Sequence, residues 1–152
     1  MMIEAKFTRN ESVADVIVRV LGDASSTIEG ALYRFNHPVL AQALENAVER
    51  GVRVRILVDG NKYKENRSTQ ELLSGAIIPF RLSYGRRGRG SKMHHKFMVV
   101  DRQTVLTGSY NWTMESEDEN HENLIIMRNA YSVGAYLGEF DALWAGAGGE
   151  DS

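Results

Sequence analysis

The stretch SKMHHKFMVVDRQTVLTGSYNWT, residues 91–113, combines a strand-like apolar run with basic and polar side chains. His94, His95 and Lys96 occupy positions where a buried strand normally carries apolar residues. Because successive side chains of a strand point to opposite faces, His94 and Lys96 share one face, while His95 packs beside Phe97 on the other. A short turn and a second apolar run follow, which predicts two strands joined as a hairpin.

The pairing of His94 with Lys96 favours an anionic ligand over a metal ion. The ammonium group repels a divalent cation, and adjacent strand histidines cannot chelate one ion without distortion, so we expect no metal and no other cofactor. A neutral imidazole, whose reference pKa is ~6.5, can attack phosphorus at neutral pH while the lysine neutralises a phosphate oxygen.

A short polar segment, Gly108-Ser109-Tyr110-Asn111, follows the second strand of the hairpin. Ser109 and Asn111 are two positions apart and can project together, which offers a hydroxyl and an amide to phosphate oxygens. Gly108 permits a close backbone approach. Together with the histidine and lysine before it, this segment predicts a site for a phosphate group.

Composition limits the class of protein. The 152 residues, 43% of them hydrophobic, predict a single domain over residues 1–146 with a flexible tail at 147–152. The chain has no cysteine, which excludes disulfides and thiolate metal sites. The start of the chain lacks a signal-peptide pattern, and the apolar runs fall far short of the ~20 residues that cross a bilayer. We therefore expect a cytoplasmic protein without stable membrane association, unless a signal peptide has been removed.

Helical and strand patterns alternate along the chain, and interleaved elements of this kind predict an α/β fold in which a mixed β-sheet is sandwiched between helices. Pro79 favours an edge or irregular position for the strand that contains it. Helices are predicted after Ser12, at 36–51, at 67–73 and around 133–144, and strands at 2–8, 26–35, 52–59, 77–83, in the hairpin and at 123–127.

His94, Lys96 and Asp101 match the pattern H-x-K-x₄-D, and residues 108–111 match the pattern G-S-x-N. In this order and context the two patterns resemble the phospholipase D superfamily, and the similarity runs over most of the chain. The sequence is most similar to the branch with one motif per chain, which includes small metal-independent bacterial endonucleases. The resemblance implies a phospholipase D-like fold and activity on phosphodiesters.

The resemblance also implies a role for each matching residue. His94 would be the nucleophile that forms a phosphohistidine intermediate, while Lys96 and Asn111 hold phosphate oxygens and Ser109 assists them. These four residues, with Asp101 and Glu122, form the expected catalytic set.

Two carboxylates support this set in different ways. Glu122 stands where the family places an acceptor for the second ring nitrogen of the histidine, which would fix the tautomer of His94. Glu119 is the alternative for that role. Asp101 comes seven residues after His94 and would face the other way on an unbroken strand, so we interpret it as a supporting residue at the strand end, with an arginine as its expected partner.

One motif per chain supplies one histidine, whereas the reaction requires two groups: a nucleophile that attacks phosphorus and an acid that protonates the leaving oxygen. Attack by His94 expels an alkoxide that needs a proton donor on the opposite side, and a positioned general acid contributes about 10²–10⁴ in rate. A twofold dimer brings the same histidine from each subunit to one place. We therefore predict a homodimer with a single composite site.

The chain has no acidic residue between Glu71 and Asp101, although its net charge is only −2. A basic strip of this kind attracts anions locally. Its flexible, glycine-containing loop could follow a phosphate backbone, and its tyrosine could stack on a base, without sequence-specific readout. The expected substrate-binding residues in the strip are Tyr84, Arg86, Arg87, Arg89 and Lys92.

The resulting hypothesis is a sequence-nonspecific nuclease that acts on DNA or RNA. The sequence does not indicate whether it prefers single or double strands. One alternative is a phospholipid phosphodiesterase, which would favour an exposed amphipathic segment for the membrane surface, and the sequence offers no good candidate. Another alternative is a catalytically silent nucleic-acid-binding module. The intact residues His94, Lys96, Asn111 and Glu122 argue against that module, because a binding protein needs no nucleophile.

Overall fold

The computed structural model describes residues 3–75 and 77–148, and within them the chain forms seven strands and six helices. The strands are β1 (Ile3–Phe7), β2 (Thr27–Leu32), β3 (Arg53–Asp59), β4 (Phe80–Ser83), β5 (Lys96–Val100), β6 (Thr104–Gly108) and β7 (Asn123–Met127). The helices are α1 (Val13–Gly22), α2 (Pro38–Glu49), α3 (Gly60–Glu65), α4 (Arg67–Ser74), α5 (Met114–Asp118) and α6 (Ala130–Ala145).

All seven strands belong to one sheet with the order β1-β7-β6-β5-β2-β3-β4. β2 lies at the junction of two pairing modes, since it pairs parallel with β3 and antiparallel with β5. β4 continues the parallel part, and β6, β7 and β1 continue the antiparallel part. The predicted mixed sheet is therefore confirmed, and the strand that follows Pro79 lies at an edge as expected.

This strand order brings many strand ends to one edge of the sheet. The parallel strands β2 and β3 end there, at Leu32 and Asp59, while the antiparallel strand β5 begins there at Lys96. β6 ends beside that point at Gly108, because it runs antiparallel to β5. We call this the upper edge; Asp101, after the last residue of β5, lies at the opposite, lower edge.

The two faces of the sheet are covered by different helices. α1 and α2 enclose the larger core, which includes Ile17, Leu44 and Met98. α6 covers the other face, where Phe97 packs with Phe140. Alternate residues of β5 thus enter opposite cores, as the period of two in a strand requires.

Two details differ from the sequence-based expectations. The structure adds α3, which begins after Asp59 because that carboxylate accepts a hydrogen bond from the backbone N–H of Lys62 at 2.9 Å. The tail was expected to be flexible from residue 147, yet Gly148 pairs with Leu82 of β4. Residues 149–152 of that expected tail lie outside the described residues, and so does residue 2 of the first predicted strand.

Candidate active site

The two histidines of the motif precede β5 instead of lying within it. The backbone N–H of Met93 donates to the Asp59 carboxylate at 2.8 Å, and not to a neighbouring strand. The carbonyl of His95 accepts from the N–H of Tyr33 at 2.9 Å, so regular pairing with the chain after β2 resumes only there. A buried carboxylate therefore fixes the backbone directly before His94.

His94 and Lys96 lie together at the upper edge, as predicted. Lys96 Nζ is 3.4 Å from His94 Nδ1 and donates to the His94 carbonyl at 3.1 Å. On another side of the imidazole, the ring of Tyr33 packs with its centroid 4.4 Å away. His94 remains exposed, whereas Tyr33 is buried, so the imidazole rests on a fixed aromatic surface and faces outward.

The electrostatic environment favours the neutral form of the imidazole. Partial burial, followed by the positive charges of Lys96 and Lys92, lowers the pKa of His94 below its ordinary value, and the opposing effect of Asp59 is smaller. Burial likewise lowers the pKa of Lys96, with Glu122 acting in the opposite direction. A neutral histidine beside an ammonium group is the combination that suits nucleophilic attack on an anionic phosphorus centre.

Glu122 is held by a network of hydroxyl and amide donors. Ser109 Oγ donates to Glu122 Oε1 at 2.6 Å, while Ser116 Oγ and Asn120 Nδ2 donate to Oε2 at 3.0 and 3.1 Å. Within the described chain neither oxygen bonds to His94, so the expected role of Glu122 as the acceptor for that imidazole is not met inside one chain. Glu119 is exposed at the end of α5 and does not replace it.

Ser109 and Asn111 are both present at this edge, but their side chains are held differently. Ser109 Oγ accepts a hydrogen bond from the N–H of Asn123 at 3.0 Å while it donates to Glu122. The backbone of Asn111 is tied to Ser116 Oγ at 3.2 Å, and its side-chain Oδ1 is buried with no hydrogen-bond partner among the described residues. An amide oxygen only accepts hydrogen bonds, so a phosphate oxygen would be bound through Nδ2 of this side chain.

Gly108 has the close backbone contact that the sequence predicted, although the neighbour is β7. A Cβ atom at this position would lie 2.3 Å from the carbonyl oxygen of Asn123, far inside contact distance. Only glycine therefore lets the end of β6 approach the start of β7, which places Ser109 beside Glu122.

Asp101 lies at the lower edge of the sheet, away from His94 and the rest of the expected catalytic set. Its carboxylate accepts hydrogen bonds from the backbone N–H groups of Ser25, Ser26 and Thr27, at 2.7 to 3.1 Å. Burial alone would raise the pKa of Asp101, but these donors outweigh it and hold the pKa below its ordinary value. The interpretation of Asp101 as a supporting residue agrees with this geometry, whereas the expected arginine partner is not found: no arginine among the described residues lies within ion-pair distance of Asp101.

His95 lies on the face opposite His94, as predicted, but it is not fully packed. Its ring contacts the edge of Phe97, with centroids 5.4 Å apart, and its Nε2 lies 2.8 Å from the Glu139 carboxylate of α6. The side chain is 44% exposed. It therefore links the segment before β5 to α6 at the surface.

The arginines of the basic strip are exposed beside the candidate site. In the loop that carries Arg86, Arg87 and Arg89, backbone hydrogen bonds link residues 85, 88 and 91. Asn61 of α3 also donates to the Arg89 carbonyl at 2.7 Å. The loop is thus held against the upper edge as a defined turn.

Tyr84 and Lys92 connect that loop to the histidine. The Tyr84 side chain lies directly over Gly60, where an added Cβ would come within 2.5 Å of two ring carbons and the phenolic oxygen, so part of the ring is covered by the protein. A groove lined by Tyr84, Arg86 and Lys92 leads to His94. Binding of a substrate by these residues, including base stacking by Tyr84, stays a prediction.

Sequence reasoning missed three residues of this environment: Tyr33, Asp59 and Lys62. Tyr33 follows β2, Asp59 ends β3 and Lys62 lies in the helix after it. Ligand sites of α/β sheets commonly lie beyond the carboxyl ends of parallel strands. Side chains at or just after the ends of two neighbouring predicted strands were therefore a usable signal.

Two properties of the described residues bear on cofactors and membranes. In residues 3–75 and 77–148, no group of three or more His, Cys, Asp or Glu side chains is arranged to hold a metal ion. Over the same residues, none of the helices combines the length and apolar character needed to cross a bilayer.

Comparison with known proteins identifies the family. A family model described as "Cardiolipin synthase, PLD-like domain" matches residues 17–144. The chain is a phospholipase D-like domain. The resemblance inferred from residues 94–111 is thereby confirmed.

Relatives of this phospholipase D-like domain include proteins named for lipid hydrolysis. The mitochondrial cardiolipin hydrolase of Mus musculus is 37% identical over 139 residues, which cover 89% of this chain and 59% of the mouse protein. A phospholipase D of Rickettsia prowazekii (strain Madrid E) is 30% identical over 131 residues, which cover 86% of this chain and 62% of the rickettsial one. The chain thus spans about three fifths of the length of these relatives.

The crystal structure of Nuc, a phospholipase D family member from Salmonella typhimurium, has the same fold as this phospholipase D-like domain. The TM-score is 0.86 at 25% identity, and the match covers 96% of this chain and 95% of Nuc. The predicted fold class, with one motif per chain, is confirmed by this match.

Proposed function

We propose that this phospholipase D-like domain is a metal-independent phosphodiesterase that acts as a sequence-nonspecific nuclease through a phosphohistidine intermediate. The observation that carries the proposal is the 3.4 Å contact between Lys96 Nζ and the neutral, outward-facing imidazole of His94. A nucleophile and a cation for the developing negative charge thus lie side by side.

In the first step, a lone pair of the His94 imidazole forms an N–P bond with the phosphodiester while the P–O bond to the leaving group breaks. Lys96 neutralises charge on the nonbridging oxygens, and the Asn111 amide, with help from Ser109, binds them. The departing alkoxide takes a proton from the imidazolium of a second His94 in a homodimer.

In the second step, the second imidazole, now neutral, removes a proton from water as the water oxygen attacks phosphorus. The N–P bond breaks, and its electron pair returns to the first His94 imidazole. The products are an alcohol and a phosphate monoester, and both histidines recover their starting protonation. The exposed position of His94 supports this scheme, because a second subunit can approach it.

The basic surface beside His94 supports nucleic acid as the substrate. Arg86 lines the groove that also contains Lys92 and His94, and the exposed Arg87 and Arg89 follow in the same loop, so positive charge extends beyond the reaction centre. A polyanion gains from several such contacts, whereas a substrate with a single phosphate uses few of them. Location in the cytoplasm stays a prediction alongside this one.

A phospholipid phosphodiester is the second candidate, and the names of the mouse and rickettsial relatives favour it. Exposed apolar side chains on β1 also favour it, since Ile3 and Phe7 are 55% and 44% exposed and could contact a lipid surface. In this case the same His94 chemistry would act on a lipid headgroup.

The test compares both substrate classes in the presence of EDTA. Plasmid DNA, single-stranded DNA, single-stranded RNA and vesicles of phosphatidylcholine or cardiolipin are incubated with the wild-type protein and with His94→Ala. We expect nucleic acid cleavage that persists in chelator and is lost in the variant. Release of lipid products alone would move the proposal to the second candidate, and cleavage by His94→Ala would refute the nucleophile.

The intermediate and the assembly are tested separately. Mass spectrometry of acid-quenched enzyme with substrate should find phosphate on the peptide that contains His94. Analytical ultracentrifugation at assay concentrations should find a dimer, and full activity from a monomer would overturn the composite site.

A further inference from the structure

The ring of Tyr33 lies at the centre of a group of three lysines. The Nζ atoms of Lys96, Lys62 and Lys92 are 5.5, 5.8 and 6.0 Å from the ring centroid, and the His94 ring packs against the same tyrosine. The distance between any two of these Nζ atoms is therefore at most twice the longest distance of 6.0 Å. The proposed chemistry at one phosphate uses only Lys96.

A single buried carboxylate positions the backbone of both remaining lysines. Asp59, which is fully buried, accepts from the N–H of Lys62 through Oδ2 at 2.9 Å. Its Oδ1 accepts from the N–H of Met93, the residue after Lys92, at 2.8 Å. Lys62 and Lys92 come from distant parts of the chain, so their convergence is built into the fold.

The charge of this group is only partly compensated. Lys62 pairs with Glu65 at 3.2 Å near the surface. Among the described residues, no carboxylate lies within ion-pair distance of Lys92 or Lys96. Burial also disfavours the charged form of Lys96, so like charges are held together here without enough protein counter-charge. An arrangement of this kind favours an anionic ligand with more than one charged group.

We propose that Lys62 and Lys92 form a second anion subsite for the phosphate next to the one that is cleaved. The inference rests on the proposed function, in which His94 and Lys96 take the first phosphate. Phosphates repeat about every 3.4 Å of rise along each nucleic-acid strand, so two neighbours can lie within the reach of these lysines. The preferred substrates are therefore phosphodiesters that carry a second phosphate close to the scissile bond.

Thymidine dinucleotides test this subsite, because they contain one phosphodiester and can carry one further phosphate. The value of kcat/KM is measured for the unphosphorylated dinucleotide and for its 5′- and 3′-phosphorylated forms. With the wild-type protein, we expect at least one phosphorylated form to be preferred by about fivefold, the effect of a single exposed ion pair. The preference should fall to about one in the double variant Lys62→Gln, Lys92→Gln.

Arg53→Gln is the matched control, since it removes one positive charge from an exposed position at the far end of β3 from Asp59. It should keep the wild-type preference. The test compares the ratio of kcat/KM between phosphorylated and unphosphorylated dinucleotides. Lys92 also lowers the pKa of His94, and an effect of that kind changes both values of kcat/KM equally, so it cancels in the ratio. Equal rates in the wild type, or a preference that survives in the double variant, would overturn the subsite.

Binding separates this inference from the proposed function. The same dinucleotides are titrated into His94→Ala, with and without the two lysine changes, and followed by ¹H–¹⁵N NMR. If no phosphodiester is cleaved, the proposed function fails, yet a phosphate-dependent gain in affinity that needs Lys62 and Lys92 still supports the subsite. Binding to vesicles of cardiolipin, which has two phosphates, is compared with binding to vesicles of phosphatidylglycerol, which has one. Tighter binding to cardiolipin that needs Lys62 and Lys92 would identify a lipid as the source of the second phosphate. Equal affinities of all three dinucleotides would overturn the subsite independently of turnover.

Discussion

At the upper end of the β5–β6 hairpin, Lys96 lies 3.4 Å from His94 and has no carboxylate within ion-pair distance in the part of the chain described. At the lower end, Asp101 accepts hydrogen bonds from three consecutive backbone N–H groups of residues 25–27. Both ends belong to one motif. They differ in whether the protein itself satisfies the polar groups.

At the lower end the protein satisfies its own polar groups. Asp101 joins the turn after β5 to the start of β2, and these backbone donors stabilise its negative charge. The upper end keeps like charges together and leaves the Asn111 side-chain oxygen without a partner among the described residues. Such an arrangement costs folding free energy and is suited to a ligand. The comparison therefore separates residues that serve the reaction from residues that serve the fold, within one sequence pattern.

The largest expected effect is on activity at the upper end. His94→Asn removes the proposed nucleophile, and we expect kcat to fall by about 10⁶-fold, the order of magnitude found when a catalytic nucleophile is removed. Because His94 is exposed, the free energy of unfolding in urea should stay within about 0.5 kcal/mol of wild type. A large loss of stability together with activity would contradict the view that the upper end serves the reaction and not the fold.

Lys96→Met removes the cation beside the nucleophile and should reduce kcat by about 10²–10³-fold, the effect of removing one donor to a developing anion. Arg102→Met is its control at the lower end, since this exposed arginine follows Asp101. The control should change kcat less than twofold. Similar losses from both variants would mean that general positive charge, and not its position, promotes the reaction.

Asp101→Asn tests the lower end. The amide places an N–H group where backbone donors need an acceptor, so we expect a loss of about 1–2 kcal/mol in the free energy of unfolding at pH 7. Activity well below the melting temperature should be retained. If activity fell while stability stayed unchanged, Asp101 would belong with the reaction centre.

The contribution of Asp101 should also depend on pH. Its pKa is lowered in the folded protein, so its stabilisation is present above the unfolded value of ~3.9 and is lost as pH falls through the folded pKa. Wild type and variant should therefore approach each other in stability in strong acid. Urea unfolding at pH 7 and at pH 3 measures this convergence.

The smallest expected effect is on the titration of His94. Its pKa is lowered by burial and by Lys96, so the neutral, attacking form persists below the ordinary value of 6.5. Lys96→Met removes one cause, which should raise the pKa and move the acid limb of kcat/KM to higher pH. Imidazole ¹H–¹⁵N NMR gives the titration directly. A wild-type pKa at or above 6.5 would contradict the proposed environment.

Most of the fold could be predicted, because it depends on local patterns. The apolar periodicity of α1, α2 and β3, and the edge position of the strand after Pro79, need no knowledge of distant residues. α3 was missed because its polar, glycine-initiated sequence has no amphipathic pattern, and it is stabilised by the Asp59 carboxylate at the end of β3.

The candidate site was predictable only where residues are close in sequence. Strand alternation places His94 and Lys96 on one face, and the distance between the two patterns follows from two short strands and a turn. Tyr33 and Lys62 reach the same place through parallel pairing of β2 with β3, which no local pattern specifies. The partners of Glu122 were likewise unpredictable, since they depend on how β6, α5 and β7 meet.

The sequence by itself determined the family, the α/β architecture, and the pairing of a histidine with a lysine on one strand face, because these depend on residue type and spacing over a few positions. Only the tertiary structure decided that Asp101 is satisfied by the start of β2, and that the His94 imidazole and three lysines lie around the ring of Tyr33. The physical reason is that hydrogen bonding and charge act through space, and the sheet order brings together strand ends that lie far apart along the chain.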